Sequence, residues 1–211
     1  MKNFLLAVFT FAAGISTKAQ VVSDSDGVIL DKIKLANEKC VSITSDFKQS
    51  KHIAHMSNDV VSQGSFFYEK PDKLAMHYTS PAGDIMLMNG EHCLMSNSGK
   101  VTSASLKSNA KIRRIKAILS ASLSGNVREM SAKKITCVEN AKYIVVTVEI
   151  NENSKKGVIN KVTVSYDIAD YSPSNLKTEE PDGSYTVYEL IDKKLNQDID
   201  PNLFNTKKVK K

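Results

Sequence analysis

The sequence predicts a mainly β protein built on one large antiparallel sheet that must curl, with one helix ahead of the strands and a second interrupting them. Three observations lead there. Residues 64–96 read as consecutive strands cut by Lys70-Pro71, Ser80-Pro81 and Asn89-Gly90, which are turn chemistries at short intervals. The last third carries four more strand signals, Tyr143 to Ile150, Val158 to Tyr166, Leu176 to Glu180 and Tyr185 to Ile191, separated by Asn151-Glu152-Asn153, Asp170-Tyr171-Ser172-Pro173 and Pro181-Asp182-Gly183. Helical periodicity occurs in only two places. A sheet of about ten short strands cannot stay flat, because each strand twists against the next.

At the N-terminus, Lys2, the apolar run Phe4 to Ile15 and then Ser16-Thr17-Lys18-Ala19 have the basic, apolar and small-residue parts of a secretory leader. The run falls short of the ~20 residues that a membrane span needs. Cleavage is expected after Ala19, and with no cysteine at the cut the mature chain is expected to be exported and soluble. Residues 20–206 then form one domain, followed by a basic tail, 207–211. The formal charge is +6. Lys2 and Lys18 leave with the leader, and Lys207, Lys208, Lys210 and Lys211 carry the rest of the excess, so the body is about neutral and nucleic acid is not the expected partner.

The first helix is signalled by Ile29, Leu30, Ile33, Ala36 and Cys40 against Asp31, Lys32, Lys34 and Lys39, apolar residues on one face and charges on the other. Strand-like sequence from Ser42 to Met56 and a second strand ending near Glu69 lead into the 64–96 meander. The second helix lies between Ser105 and Gly125, with Ile112, Ile115, Ile118, Leu119 and Leu123 on one face and Lys111, Arg113, Arg114 and Lys116 on the other. With Lys107, those cations are the one basic concentration inside the fold. They are expected either to be solvated or to dock on an anionic surface.

Leu74, Met76 and Tyr78 alternate with polar residues, as a half-buried strand requires. Ile85, Met86, Leu87 and Met88 do not alternate, so both faces of that strand need a cover. Four of the seven methionines (Met76, Met86, Met88, Met95) fall in this stretch, and methionine adapts to irregular or changing apolar partners. A soft apolar cavity and an ordinary two-layer core both fit this pattern. Cys40, Cys93 and Cys137 have no framework spacing and read as buried small hydrophobes. No Gly-x-Ser-x-Gly, P-loop, Cys-x-x-Cys or metal-ligand spacing occurs, so no catalytic constellation, metal or cofactor is expected.

Phe47-Lys48-Gln49 after an amphipathic helix, Gly64 and an aromatic strand, Lys70-Pro71-Asp72-Lys73-Leu74, Tyr78, Pro81 and the Asn89-Gly90 turn resemble, in that order, the Phe-x-Gln, Gly, Arg-Pro, Pro and Asp-Gly series of the LolA family. The likeness runs on through the 112–123 helix, the strands around Gly157, the Asp182-Gly183 hairpin and the ending Ile199-Asp200-Pro201-Asn202-Leu203-Phe204. The resemblance implies an incomplete, half-open β-barrel covering an apolar cavity, with the N-terminal and central helices as a lid. It implies a periplasmic carrier of acylated lipoproteins, working as a monomer. Cargo would come from an inner-membrane ABC transporter of the Lol type and pass to an outer-membrane acceptor, with transient membrane contact. In such a fold the expected cavity wall is Phe47, Phe66, Met76, Tyr78, Met86 and Met88, with strand register deciding which face inward, and the expected lid involves Lys70, Ile112, Ile115 and Leu119. Two positions depart from the family: Lys70 stands for an arginine that bonds across to the lid, and Met76 for a tryptophan. An ammonium makes less directional bonds than a guanidinium fork. The alternative reading is a LolA-like module that senses lipid or lipoprotein and regulates an envelope partner protein.

Overall fold

The computed structural model describes residues 24–150 and 159–206; the expected leader and basic tail lie outside them. Helix α1, Asp24–Glu38, opens the described chain. Six strands follow: β1, Ser42–His52; β2, Val60–Glu69; β3, Lys73–Ser80; β4, Ala82–Asn89; β5, His92–Asn97; and β6, Lys100–Ser105. Helix α2, Ala110–Leu123, and a 3-10 turn, Val127–Met130, separate these from β7, Ala132–Glu139; β8, Tyr143–Ile150; β9, Lys161–Asp167; β10, Pro173–Glu179; and β11, Tyr185–Leu195. A second 3-10 turn, Pro201–Phe204, is the last element among the described residues.

All eleven strands make one antiparallel sheet in the order β6-β5-β4-β3-β2-β1-β11-β10-β9-β8-β7. Each half is a plain meander, and the two halves join because the first strand pairs with the last, Phe47 opposite Leu190 and His52 opposite Tyr185. β6 and β7 are left as edges, so the barrel is open. The sequence reading missed both of these edge strands. β6 is short, carries a lysine, a threonine and two serines and is exposed over its first four residues, and β7 has Lys133 and Lys134 directly after its first residue. Those are features that keep an edge from pairing with another chain, and they also erase the strand signal.

On the concave side the core forms two clusters. Clean alternation in β8 and β9 points Ile144, Val146 and Val148, with Val162, Val164 and Tyr166, at α1 (Leu30, Ile33) and α2 (Ile118, Ala121). The other cluster lies over β1 to β5. α2 packs into both: Ile118 belongs to the first, Leu123 to the second, and Leu119 touches each. The helix starts at Asn109, whose side chain accepts from the Ile112 amide at 3.1 Å, a capping bond that removes one orphan donor. It stops at Gly125, which has φ +71°; a β-carbon there would lie 2.9 Å from the Ile33 carbonyl oxygen. Only glycine lets the end of α2 press so closely on α1.

The double-sided strand is explained by a cover that the sequence reading did not place. Leu87 pairs with Ala75 on one side and Leu94 on the other, and these three residues meet Ile199 and Phe204 on the convex face. The C-terminal turn lies across the outside of the sheet, fixed by the Asn89 side-chain amide donating to the Phe204 carbonyl at 3.2 Å. β3 therefore departs from the expected alternation, with Leu74, Ala75 and Met76 all buried.

Gly64 sits where β2 shifts register against β3, and a β-carbon there would fall 2.0 Å from the His77 carbonyl oxygen. Gly27, inside α1, has open space, with the nearest atom 3.8 Å from such a carbon. Gly64→Ala should therefore lower unfolding stability in urea by about 3 kcal/mol or more. Gly27→Ala should raise it by up to about 1 kcal/mol, as in any helix interior.

Candidate functional site

Directly paired residues of an antiparallel sheet share a face, so the register maps the concave wall. One row runs Phe66, Met76, Met86, Met95 across β2 to β5, and the next runs Tyr68, Leu74, Met88, Cys93. A third row places Phe47 opposite Gly64 and Gly64 opposite Tyr78. Because Gly64 has no side chain, the rings of Phe47 and Tyr78 meet across it edge to face, with centroids 5.1 Å apart. The Tyr78 hydroxyl, at the rim, donates to Gln49 Oε1 at 2.8 Å. Along the methionine row exposure climbs from 3 % at Met76 to 44 % at Met95. The apolar wall thus runs from the core out to solvent without a polar break.

α2 covers the inner part of this wall with Ile112, Ile115, Leu119 and Leu123. Between helix and sheet remains a void of about 40 Å³, bounded by Phe47, Phe66 and Met76 from the sheet, Leu119 from the helix and Leu176 and Tyr188 from β10 and β11. That is room for about one water, an order of magnitude less than a small-molecule pocket. Phe47, Phe66, Met76 and Leu119 thus border the void, while Tyr78, Met86, Met88, Ile112 and Ile115 belong to the surrounding apolar cluster.

Both helices are held by one turn. The Lys70 ammonium donates to the carbonyl oxygens of Asn37 at 2.6 Å and Glu38 at 3.0 Å, at the C-terminal end of α1, where a cation also meets the negative end of the helix dipole. Two residues on, Asp72 takes the Lys116 ammonium of α2 at 3.0 Å, and Lys116 also donates to the Gly90 carbonyl. Lys116 had read from sequence as part of the solvated basic face. The ion pair it forms instead is visible only once the 70–72 turn is placed beneath the helix. Much of the remaining basic concentration is likewise tied inside the molecule: Lys107 to Glu91 at 2.8 Å, Arg113 to the Leu106 carbonyl at 3.1 Å and Arg114 to the Ile159 carbonyl at 3.3 Å.

Polar groups on this side are few. The Tyr166 hydroxyl donates to the Ser122 carbonyl at 2.8 Å, joining β9 to α2. At the β10 end, Lys193 donates to the Ser172 and Ser174 hydroxyls. Burial lowers the Lys193 pKa, against the opposing pull of Asp170 and Asp167. Burial pushes the Cys40 and Cys93 thiols up, takes Cys137 to about 11, and moves the Tyr68 hydroxyl to about 12. All three cysteines are free and buried. Among the described residues no three His, Cys, Asp or Glu side chains converge in a metal-binding group.

The sequence profile of the outer membrane lipoprotein carrier protein LolA matches residues 38–207. The chain belongs to the LolA family. Comparison with curated proteins finds no match. Among solved structures, a conserved protein of Thermus thermophilus superposes with a TM-score of 0.51 at 6 % identity, over 86 % of this chain and 93 % of that one. A LolA superfamily protein of Nitrosomonas europaea gives 0.43 at 11 %, over 86 % and 97 %. The MucA/MucB complex of Pseudomonas aeruginosa gives 0.49 at 9 %, over 87 % and 61 %. At such identities structural likeness speaks for the fold alone, and the profile places the chain in the LolA family.

Two outcomes are expected from this geometry. Lys70→Met removes both bonds to α1, so amide exchange in the last turn of that helix should speed up about tenfold while β1 and β11 stay protected. Cys137 is an acid whose pKa is raised in the folded state, from 9 to about 11. Its contribution is therefore complete below pH 9 and is lost as pH rises to about 11, which should remove roughly 2 kcal/mol of unfolding free energy over that window. Cys137→Ala should flatten that part of the pH profile.

Proposed function

We propose that this LolA-family protein is an exported, monomeric carrier that takes the acyl chains of lipoproteins against its concave sheet face. It would receive them from an inner-membrane ABC transporter of the Lol type and pass them to an outer-membrane acceptor. The observation that carries this reading is an apolar wall running continuously from the buried Met76 to the exposed Met95, covered by a helix rather than filled from within. An enzyme would need converging reactive groups, and this wall offers thioethers, aromatic rings and branched aliphatics.

With a void of only about 40 Å³, cargo would enter by displacing α2. The exchange is near balance. Uncovering Ile112, Ile115, Leu119 and Leu123 costs about 6–12 kcal/mol, since full burial of such a side chain is worth ~1.5–3 kcal/mol. An acyl chain of about fifteen methylenes returns about 12 kcal/mol at ~0.8 kcal/mol each. Lys70 and the Lys116–Asp72 pair set how firmly the helices close. The lid role that the resemblance gives to Lys70 is on this reading shared with Lys116. Charge-assisted bonds of modest strength suit a cover that must open and shut.

The mature protein should enhance the emission of an apolar fluorescent probe. Met86→Glu, a change at a half-buried wall position, should weaken that binding at least tenfold while circular dichroism stays native. Capture from periplasm followed by mass spectrometry should recover acylated lipoproteins. Probe emission unchanged from buffer, or recovery of a regulatory protein without acylated cargo, would contradict the proposal.

A further inference from the structure

Lys193 is placed where a lysine has little structural reason to be. β11 carries a register shift between its pairings at Ile191 and Lys194, with Asp192 at φ +53°. Beyond that bulge, alternation puts Lys193 on the same face as Leu195, which packs against the concave cluster. Its ammonium lies 2.6 Å from Ser172 Oγ and 2.7 Å from Ser174 Oγ. Both serines are buried, at 2 % and 6 % exposure. Among the described residues no carboxylate forms an ion pair with Lys193. Asp170 and Asp167 act on it only at longer range, and the Asp170 carboxylate already accepts from the Ser172 amide at 2.8 Å.

The donor count is the second observation. An ammonium has three N–H groups and no lone pair, so both serine oxygens must accept from it, and each hydroxyl proton is left to donate elsewhere. Neither hydroxyl has an acceptor among the described residues, and one ammonium proton is also unspent. Three donors around one unpaired cation, largely withdrawn from water, lack only an anion. The third observation is position: Ser174 lines the void beneath α2, beside Leu176 and on the way to Phe66 and Met76.

We propose that Lys193, Ser172 and Ser174 form a headgroup site for an anionic amphiphile, a molecule whose acyl chain lies along the methionine wall and ends in a carboxylate or phosphate at Lys193. This rests on the carrier reading for the chain but adds a ligand class to it. The acyl groups of a lipoprotein are esters and amides and bring no charge, whereas a free fatty acid or an anionic lipid does. Two headgroup oxygens could accept from the serine hydroxyls while the third ammonium proton meets the charge. The chain itself would use the space that α2 vacates.

The test uses the mature protein and two ligand pairs, each differing only in the anionic group: palmitate against methyl palmitate, and palmitoyl lysophosphatidic acid against monopalmitoylglycerol. Affinities are read by displacement of an apolar fluorescent probe. The wild type should prefer the anionic member of at least one pair by about tenfold, the scale of one charge-assisted hydrogen bond. The pair with the larger preference identifies carboxylate or phosphate as the head. Lys193→Met should bring the ratio near one without changing affinity for the neutral member, Lys193→Arg should keep most of it, and Ser174→Ala should reduce it about threefold. Ratios near one in the wild type, or a preference that survives Lys193→Met and Ser174→Ala, would overturn the headgroup site and leave the carrier reading standing. Failure of all four ligands and of the probe would overturn both.

Discussion

Successive side chains of a strand point to opposite faces, and in β4, with Ala75 of β3 beside it, apolar residues fall on both, so this part of the sheet needs two separate covers. Outside, the cover is the chain's own C-terminal turn, with Phe204 and Ile199 over Ala75, Leu87 and Leu94. It is local and tight. Inside, the cover is α2, which must also pack over β7 to β10, so one helix closes both halves of an open barrel. The two covers differ in kind. The outer one is anchored on the sheet it covers, while the inner one presents half-buried aliphatic residues to a wall of methionines and is tied down by a lysine.

That asymmetry connects the structure to the proposed carriage. A protein that only needed stability could fill its concave face from within, with larger side chains at Met76 and Met86. Here the filling is supplied by a helix joined to the sheet side by few polar bonds, among them Lys116 to Asp72 and to the Gly90 carbonyl and Tyr166 to the Ser122 carbonyl. Lys70 grips α1 and Asp72 grips α2, so the β2–β3 turn coordinates the two helices. Methionine would suit such a wall, since its flexible thioether chain adapts to changing apolar partners, isoleucine of the helix or, on the proposed reading, an acyl chain.

Much of this was legible in the chain. The helical faces of α1 and α2, the hairpin turns of 64–96 and the strands from Tyr143 onward carry strong local signals, because periodicity and turn chemistry are short-range properties. The excess of apolar residues at Ile85 to Met88 correctly indicated two covered faces. What covered the outer face was not legible, since Phe204 reaches Leu87 across more than a hundred residues of sequence. The edge strands were lost because good edges look like loops. Phe47, Phe66 and Met76 were expected as wall residues; strand pairing puts them on one face and they border one void, while their contact with a ligand belongs to the proposal. Lys116 and Lys193 were out of reach: each is a lysine among many, distinguished only by the partners that folding brings to it. The run Tyr171-Ser172-Pro173-Ser174 gave a turn signal and nothing that pointed to a cation.

The central claim is that acyl chains enter by displacing α2 from the concave wall. Nitroxide labels at the exposed Ala117 on α2 and Val138 on the β7 edge would report this through their electron–electron distance, with the buried native cysteines left unlabelled. Binding of a triacylated lipopeptide should shift the main distance outward by about 5 Å or more, on the scale of one side-chain layer. The change should reverse when the lipopeptide is removed by acceptor vesicles. A distance distribution that does not move while bound lipopeptide is present at one per protein would contradict the account.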